Sequence, residues 1–470
     1  MDALIPRTGF GEMNFGMVQL GDRRRTRRLV QAADRILQHP CGTLPDKLNH
    51  PAELKGLYRL VNQDCVTHAA VLSQHRDLVR QRMQACSGDI LMLHDTTELD
   101  YTGKTTLADL GFIGKGHRQR GYLCHHSLAV VAGTREVLGL ASQVLHHRSA
   151  SPENETRAAR RSKPDRESRL WRQGCEACPA PSPTPSPGPR VIDIADRGAD
   201  LFEFLEFEQA QGRRYVVRSR HDRGCEVEGP QGPQSVRLHT FARALPAWGE
   251  YEVDVPTRDQ RPARMAKVRI AAGQVRLAPP RLRRGQHGDE PLTAWVVYVG
   301  EIDPPKGAEP VEWILLTNVS AENLAEARER VGWYAHRWVI EELHKAQKTG
   351  CGIELPQFTK QERLEPVIAL LSVVAVELLR LRTAARSPDA QTRPATEYVP
   401  KRHVEVVSAW RYGAIRDLTV HEFYFAVARL GGHQNRKHDH PPGWLVLWRG
   451  WAKLESMVIG ATALERARCG

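Results

Sequence analysis

The chain has 470 residues, 41% of them hydrophobic, enough for a large core spread over two or three domains. Its 67 Lys and Arg outweigh 55 Asp and Glu, and the formal net charge of +12 favours a polyanionic partner such as nucleic acid. The N-terminus lacks an apolar leader, and the best apolar run, Val367 to Leu381, is short and interrupted by Glu377 and Arg380, which excludes a membrane span and gives a soluble, cytoplasmic reading.

Taken in chain order, residues 1–80 read as a mainly helical region. Leu29, Val30, Ala33, Ile36 and Leu37 recur at helical spacing behind Asp22, a residue suited to cap the first turn, and that turn is crowded with Arg23, Arg24, Arg25, Arg27 and Arg28. Further helices are predicted over Glu53 to Val61 and Thr67 to Met83. At Asp89 the character changes: Ile90 to Leu93 form an apolar run of strand length ending at His94 and Asp95. Tyr122 to Ala132 and Val137 to Leu145 flank a Gly133-Thr134 turn and predict a hairpin.

Residues 152–173 are highly charged and suit a helix, whereas Cys178 to Arg190, with proline at alternate positions from Pro179 to Pro189, suits only a loop. Val191, Ile192 and Ile194 make another short strand that stops at Asp196. A helix over Asp200 to Gln211 and a strand over Tyr215 to Arg218 come next. Three strands, a helix, a strand, a helix and a strand predict a mixed sheet with helices packed on it. Residues 222–310 carry alternating segments such as Tyr251 to Val255 and Val268 to Ile270, and read as a β-rich insertion. The strand Trp313 to Leu316 leads to Ser320, taken as the N-cap of one long helix running to about Lys348. An apolar helix (Leu364 to Leu381), a polar linker (Ser387 to Pro400) and a final helical region complete the chain.

Nine cysteines, an odd number without framework spacing, read as reduced thiols. Cys175 and Cys178 form the one Cys-x-x-Cys pair, but no second ligand pair stands at a matching spacing, so they read as loop cysteines rather than a zinc site. His433, His438 and His440 read as a solvated loop.

The helix after Ser320 is the most informative segment. Arg337, Glu341 and Lys348 follow Tyr334 at +3, +7 and +14, which on one regular helix sets the four within about 60° of one another, with Ala335, Val339, Leu343 and Ala346 on the packing side. An aromatic ring, two cations and a carboxylate on one face suit a phosphate. A solvated face with an internal Arg337 to Glu341 pair is the plain alternative. Asp95 and Asp196, each ending an apolar strand, can reach the same sheet edge beside Glu341. Three clustered carboxylates are the residue types that hard divalent ions choose, and phosphodiester cleavage needs an activated oxygen nucleophile and a stabilised leaving oxygen.

These residues and several colinear segments resemble a known family: Leu20-Gly21-Asp22 with Arg24-Arg25-Thr26 and Arg28-Leu29-Val30; Asp95-Thr96-Thr97; Asp196-Arg197 with Ala199-Asp200; Val216 to Ser219; Tyr334-x2-Arg337-x3-Glu341-x6-Lys348; Ala428 to Gly432; and Trp444-x3-Trp448-x2-Trp451. The chain is similar, nearly end to end, to the cut-and-paste DDE transposases of bacterial insertion sequences, of the Tn-five type with the Tyr-Arg-Glu-Lys signature. The resemblance implies an α/β, RNase H-like mixed sheet with flanking helices, a β-strand insertion before the catalytic Glu helix, and helical N- and C-terminal regions. The domains are expected at 1–80 (DNA end binding), 81–383 (catalysis, with the insertion at about 222–310) and 384–470 (dimerisation).

It also implies roles. Asp95, Asp196 and Glu341 are expected to hold two Mg²⁺ ions, with Mn²⁺ able to substitute. Tyr334, Arg337 and Lys348 are expected to grip DNA phosphates, Trp313 to stack on a flipped base, and Arg218, Arg220, Arg24, Arg25 and Arg28 to contact end DNA. The expected partners are double-stranded DNA with transposon-end inverted repeats, target DNA and a second copy of the chain in a homodimer. The alternatives are an RNase H-like endonuclease without strand transfer and a non-catalytic, transposase-derived DNA-binding protein.

Overall fold

The computed structural model describes residues 9–469 except 105, 108–109, 115, 117, 149–153, 157–158, 160–162, 164–165, 179–188, 256–262, 282–286, 437–438 and 440. The alternating prolines from Pro179 onward, most of the charged 152–165 stretch, His438 and His440 therefore lie outside the described residues.

The N-terminal region is helical: α1 (Phe10–Phe15), α2 (Arg23–Gln38), α3 (Leu44–Lys47), α4 (Pro51–Val61) and α5 (His68–Gln84). The Asp22 side chain caps α2 by accepting from Arg24 N at 2.8 Å, and Leu29, Ala33 and Ile36 on its inner face are buried.

Among the described residues, twelve strands form one sheet: β1 (Ile90–Asp100), β2 (Phe112–Ile113), β3 (Gln119–Val131), β4 (Val137–His146), β5 (Val191–Ala195), β6 (Arg214–Arg218), β7 (Gly224–Gly229), β8 (Gly232–Arg237), β9 (Gly249–Val255), β10 (Arg264–Leu277), β11 (Leu292–Glu301) and β12 (Glu312–Thr317). At its centre β4-β3-β1-β5-β6 lie side by side, with β1, β5 and β6 parallel and β3 antiparallel to β1 and to β4. Counting these five in chain order gives the 3-2-1-4-5 arrangement with one antiparallel member, the RNase H-like topology. The β-rich insertion does not form a separate sheet. β12 pairs antiparallel with β6, and β11 and β10 continue outward from it, so the insertion widens the central sheet.

Strand alternation divides the apolar residues between two layers. Leu91, Leu93, Ile192, Ile194, Val216 and Leu315 face one core, into which the helix α11 (Gln361–Ala384) is sunk along most of its length. The apolar run Val367 to Leu381 lies within this core helix, and no helix among the described residues is long and apolar enough to cross a membrane. On the other face Tyr215, Val217, Ile314 and Leu316 pack with α6 (Leu170–Glu176), α7 (Phe202–Ala210) and α8 (Leu238–Ala244). Cys175 lies within α6, which corrects its reading as a loop cysteine because the helix extends past the charged stretch, whereas Cys178 follows the helix as read; both are buried.

The predicted single helix from Ser320 to Lys348 is in fact three pieces: α9 (Leu324–Ala335), α10 (Trp338–Lys345) and a π turn over Ala346–Gly350. Asn323, not Ser320, caps α9, because its side chain accepts from Glu326 N at 3.1 Å while Ser320 Oγ donates to the Glu326 carboxylate. At the α9–α10 junction the amides of Arg337, Val339 and Ile340 each bond three residues back, a tightened turn that re-aims α10.

The C-terminal region packs α12 (Lys401–Tyr412), α13 (Val420–Leu430) and α14 (Trp444–Cys469) around Phe423, Val427 and Trp451. α13 and α14 touch backbone to backbone at Gly431 and Gly450. A Cβ on Gly450 would stand 1.8 Å from the Val427 carbonyl oxygen, so Gly450→Ala is expected to lower stability by about 1–3 kcal/mol through overpacking. The comparison in a urea titration is Gly460→Ala, where nothing lies within 4 Å and little change or a slight gain is expected.

Candidate functional site

β1 and β5 pair in parallel from Ile90 opposite Val191 to Leu93 opposite Ile194. Carrying that register two residues further sets Asp95 across from Asp196, at the carboxyl ends of the parallel strands, where α/β sheets characteristically place their sites. Asp95 does not end its strand as the sequence suggests. β1 continues to Asp100 because β3 goes on pairing with it on the other side.

Asp196 immediately follows β5 and caps a short 3-10 turn, its Oδ1 accepting from Gly198 N at 2.7 Å. Gly198 is required there by close approach, since a Cβ would lie 2.8 Å from the Trp171 ring and 3.0 Å from Asp196 Oδ1.

Glu341 comes from α10, and the residue that joins it to the sheet is Arg337. Its guanidinium donates to Asp95 Oδ2 at 2.9 Å and to Glu341 Oε1 at 2.6 Å. Burial raises the Asp95 carboxyl to about 6, and the charges of Asp196 and Glu341 push the same way against the opposing pull of Arg337. Burial also works against the Arg337 charge, but Tyr334, Asp95 and Glu341 outweigh it and hold the guanidinium above its usual range.

Arg337 thus brings two of the three carboxylates predicted from sequence, Asp95 and Glu341, together, and Asp196 stands beside Asp95, close enough for its charge to act on it. Asp95 and Glu341 keep 16% and 30% of their side chains open to solvent, so small cations can reach them. An all-oxygen, partly open set of this kind fits Mg²⁺ or Mn²⁺ better than a soft metal.

Tyr334 is not displayed on an open face, as a regular helix would have it. It is 5% exposed and meets Trp313 edge to face, ring centroids 5.3 Å apart. The tightened junction before α10 accounts for this by separating the orientation of Tyr334 from that of Glu341. Arg218 is half-buried, donates to the Glu312 carbonyl at 2.8 Å and lies within hydrogen-bonding reach of Tyr334. The side chain of Arg220 is exposed, while its backbone amide and that of His221 donate to the buried Asp200 at 2.6 and 2.8 Å. Lys348 sits further along β1: it lies 3.6 Å from Glu354, which in turn accepts from Asp100 N. No contact among the described residues ties Lys348 to the carboxylates.

Sequence reasoning did not single out several groups around α10. Trp338 is 51% exposed beside Arg337, an open indole at the mouth of the site. Glu342 accepts from both Arg382 and Trp444, which anchors α10 to the C-terminal region. Below it, His344 meets His126 at 3.2 Å, and Gln347 in the π turn donates to His126 and to Ser372 at 2.9 Å each. The Glu341-Glu342 doublet was the available signal for the anchor. Nothing in the spacing marked His126, which reaches α10 from β3.

On the N-terminal helices Arg23, Arg24, Arg27 and Arg28 are exposed, whereas Arg25 turns inward and donates to the Leu20 carbonyl at 3.0 Å and to Gln63 at 2.9 Å. Four exposed guanidinium groups on the first turns of α2 form a local positive surface. Residues 7–66 match the family model for transposase DNA-binding. The match spans α1 to α4 and the arginine-bearing turn, and it supports a DNA-binding role for this region.

Proposed function

We propose that the protein is a DDE-type DNA transposase that cuts and rejoins DNA at transposon ends, with Asp95, Asp196 and Glu341 as its metal ligands. The observation that carries this reading is the convergence of Asp95 and Glu341 on Arg337, beside Asp196 at the carboxyl ends of the parallel strands, in a chain whose N-terminal segment matches a transposase DNA-binding model. Two divalent ions bound there would make an attacking water or 3′-hydroxyl more anionic and stabilise the departing oxygen.

The chain's own residues supply the rest. The exposed arginines of α2 hold the end sequence by its phosphates, and Arg220 extends that grip on the sheet side. Arg337 stands where a scissile phosphate would arrive and exchanges carboxylate for phosphate oxygens, both of which suit its planar fork. The Trp313 ring, braced by Tyr334, offers a face on which an unpaired base stacks, an interaction of about 1–3 kcal/mol. Following the family resemblance, the cycle runs through a first nick, a hairpin, its reopening and joining to target DNA. A homodimer pairs two ends.

The test uses duplexes made from the inverted repeats flanking the gene, incubated with Mg²⁺. Asp196→Ala and Glu341→Ala are expected to leave gel-shift affinity within a few-fold of the parent while cleavage falls by at least about 10³-fold, the scale for losing a preorganised electrostatic stabiliser. Trp313→Ala is expected to reduce hairpin formation more than nicking. A carboxylate variant that cuts at the parental rate would reject the assignment.

A further inference from the structure

On the face of β1 turned away from the carboxylates lies a buried polar cluster. His94 is fully buried, with Nε2 2.8 Å from Asp193 Oδ1 and Nδ1 3.0 Å from Ser127 Oγ. Because the Asp193 carboxylate only accepts, Nε2 carries the proton and Nδ1 accepts from the Ser127 hydroxyl. Arg213 completes the set with two bonds to Asp193, Nε to Oδ2 at 2.8 Å and a terminal nitrogen to Oδ1 at 2.9 Å.

Cys175 Sγ lies 3.6 Å from His94 Nε2, and the ligand atoms of His94, Cys175 and Asp193 fall within 4.8 Å of one another. That spacing suits a metal ion, but the bonding does not. Both Asp193 oxygens and both His94 nitrogens already have partners, and the Arg213 guanidinium occupies the side from which a second cation would need the carboxylate. The His94–Asp193–Arg213 set is satisfied as a hydrogen-bonded tie, and the buried Glu208 carboxylate stands 3.6 Å from Arg213 Nε beside it.

What it ties is specific. His94 immediately precedes Asp95 on β1, and Asp193 stands three residues before Asp196 on β5. The backbone register between the two strands ends at Leu93 and Ile194, one residue short of His94 and two short of both aspartates. Beyond that point no backbone pair among the described residues joins the two strands, and the His94 side chain bridges them. We infer that the His94–Asp193 hydrogen bond, oriented by Ser127 and Arg213, sets the separation of Asp95 and Asp196, which makes His94 and Asp193 positioning residues for the metal-binding pair. The inference rests on the proposed metal-ligand roles of those two aspartates. Residues that orient metal ligands from behind characteristically change metal affinity by about 10–100-fold when removed.

The experiment titrates the full-length protein with Mn²⁺, following the electron paramagnetic resonance signal of the free ion, and measures in parallel the Mg²⁺ concentration for half-maximal cleavage of end DNA. His94→Leu is expected to weaken Mn²⁺ binding and raise the half-saturating Mg²⁺ by about tenfold or more, with gel-shift affinity for end DNA unchanged. His94→Gln, whose amide N–H can still reach Asp193, is expected to recover most of the loss. Ser127→Ala removes a single hydroxyl and is expected to give a rise of about two- to fivefold; it decides the question should His94→Leu fail to fold.

Unchanged Mn²⁺ binding in His94→Leu or in a folded Ser127→Ala, alongside an Asp95→Ala control that has lost it, overturns the inference and leaves the proposed function intact. An Asp95→Ala control that binds and cleaves normally instead removes the functional reading on which the inference stands. Elemental analysis finding one zinc per chain, displaced by His94→Leu, would overturn the inference by making the cluster a metal site.

Discussion

Asp95→Asn is expected to abolish DNA cleavage and at the same time to make the metal-free protein more stable. Arg337 bridges Asp95 and Glu341, with the Asp196 charge acting on Asp95, and Asp95 is the more enclosed of the two groups that Arg337 bridges. Its carboxyl is raised from 3.8 to about 6, burial being the largest cause, so the folded state holds the proton more tightly than the unfolded chain does. For such a group the penalty on folding is absent below the unfolded value, grows between about 4 and 6, and is complete above that. At about 1.4 kcal/mol per unit it amounts to roughly 3 kcal/mol at neutral pH, and the net gain in the variant is expected at about 1–3 kcal/mol. Urea titrations in a metal chelator at pH 4.5 and 7.5 check this. The two proteins should be close at the lower pH, with Asp95→Asn ahead at the higher. A variant less stable than the parent at pH 7.5 would mean that the Arg337 pairing outweighs the crowding, and the electrostatic account of the site would fail.

Such a trade of stability for function belongs where a sheet edge collects like charges for a ligand to neutralise. It also explains why the carboxylates were the most legible part of the site. Asp95 and Asp196 follow short apolar runs, and a parallel sheet delivers the ends of such runs to one edge whatever lies between them in sequence. The order of strands and helices was legible for the same reason, since strand-length apolar runs alternated with helical periodicity. The helix that supplies Glu341 was legible in composition but not in shape. Periodicity assumes one regular helix, and it carries no sign of the tightened junction at Arg337 or of the π turn after Lys345. Tyr334 and Lys348, placed by that assumption on one face with Glu341, depart from it in opposite directions along the chain. Arg25 illustrates a different limit: in a run of arginines nothing local distinguishes the one whose partners, Leu20 and Gln63, arrive through tertiary packing. The His94 tie was invisible because its members are separated by about a hundred residues and each is unremarkable in its own segment.

Acidification is expected to unfold the N-terminal region's packing on the sheet well before carboxylate titration alone would, because that packing depends on neutral histidines. His75 on α5 is 2% exposed and held at about 3 from an ordinary 6.5 by burial, with Arg82 and Arg380 adding to the effect. Its Nδ1 bonds the Asn14 side-chain oxygen at 2.7 Å, and its Nε2 accepts from Leu140 N at 3.1 Å. The ring therefore joins α1, α5 and β4 in one tautomer, and protonation deletes the acceptor that Leu140 needs. The unfolded chain takes up the proton near 6.5 and the folded chain does not, so the contribution is fully present above that value and is lost as pH falls toward about 3. Between pH 6.5 and 4.5 His75 alone withdraws about 2.3 kcal/mol. His344, held at about 3, and His68, held at about 4, push in the same direction, burial being the largest cause for each. Carboxylates that gain from acid, Asp95 among them, offset part of the total, so the clean measurement is a difference. His75→Gln can keep both hydrogen bonds through its amide without titrating. It is expected to be less stable than the parent at pH 7.5 by about 1–2 kcal/mol through poorer packing, with the gap closing and then reversing as the pH approaches 4.5. A gap that stays constant across that range, read from urea midpoints at half-unit steps, would show that His75 takes no part in the acid response.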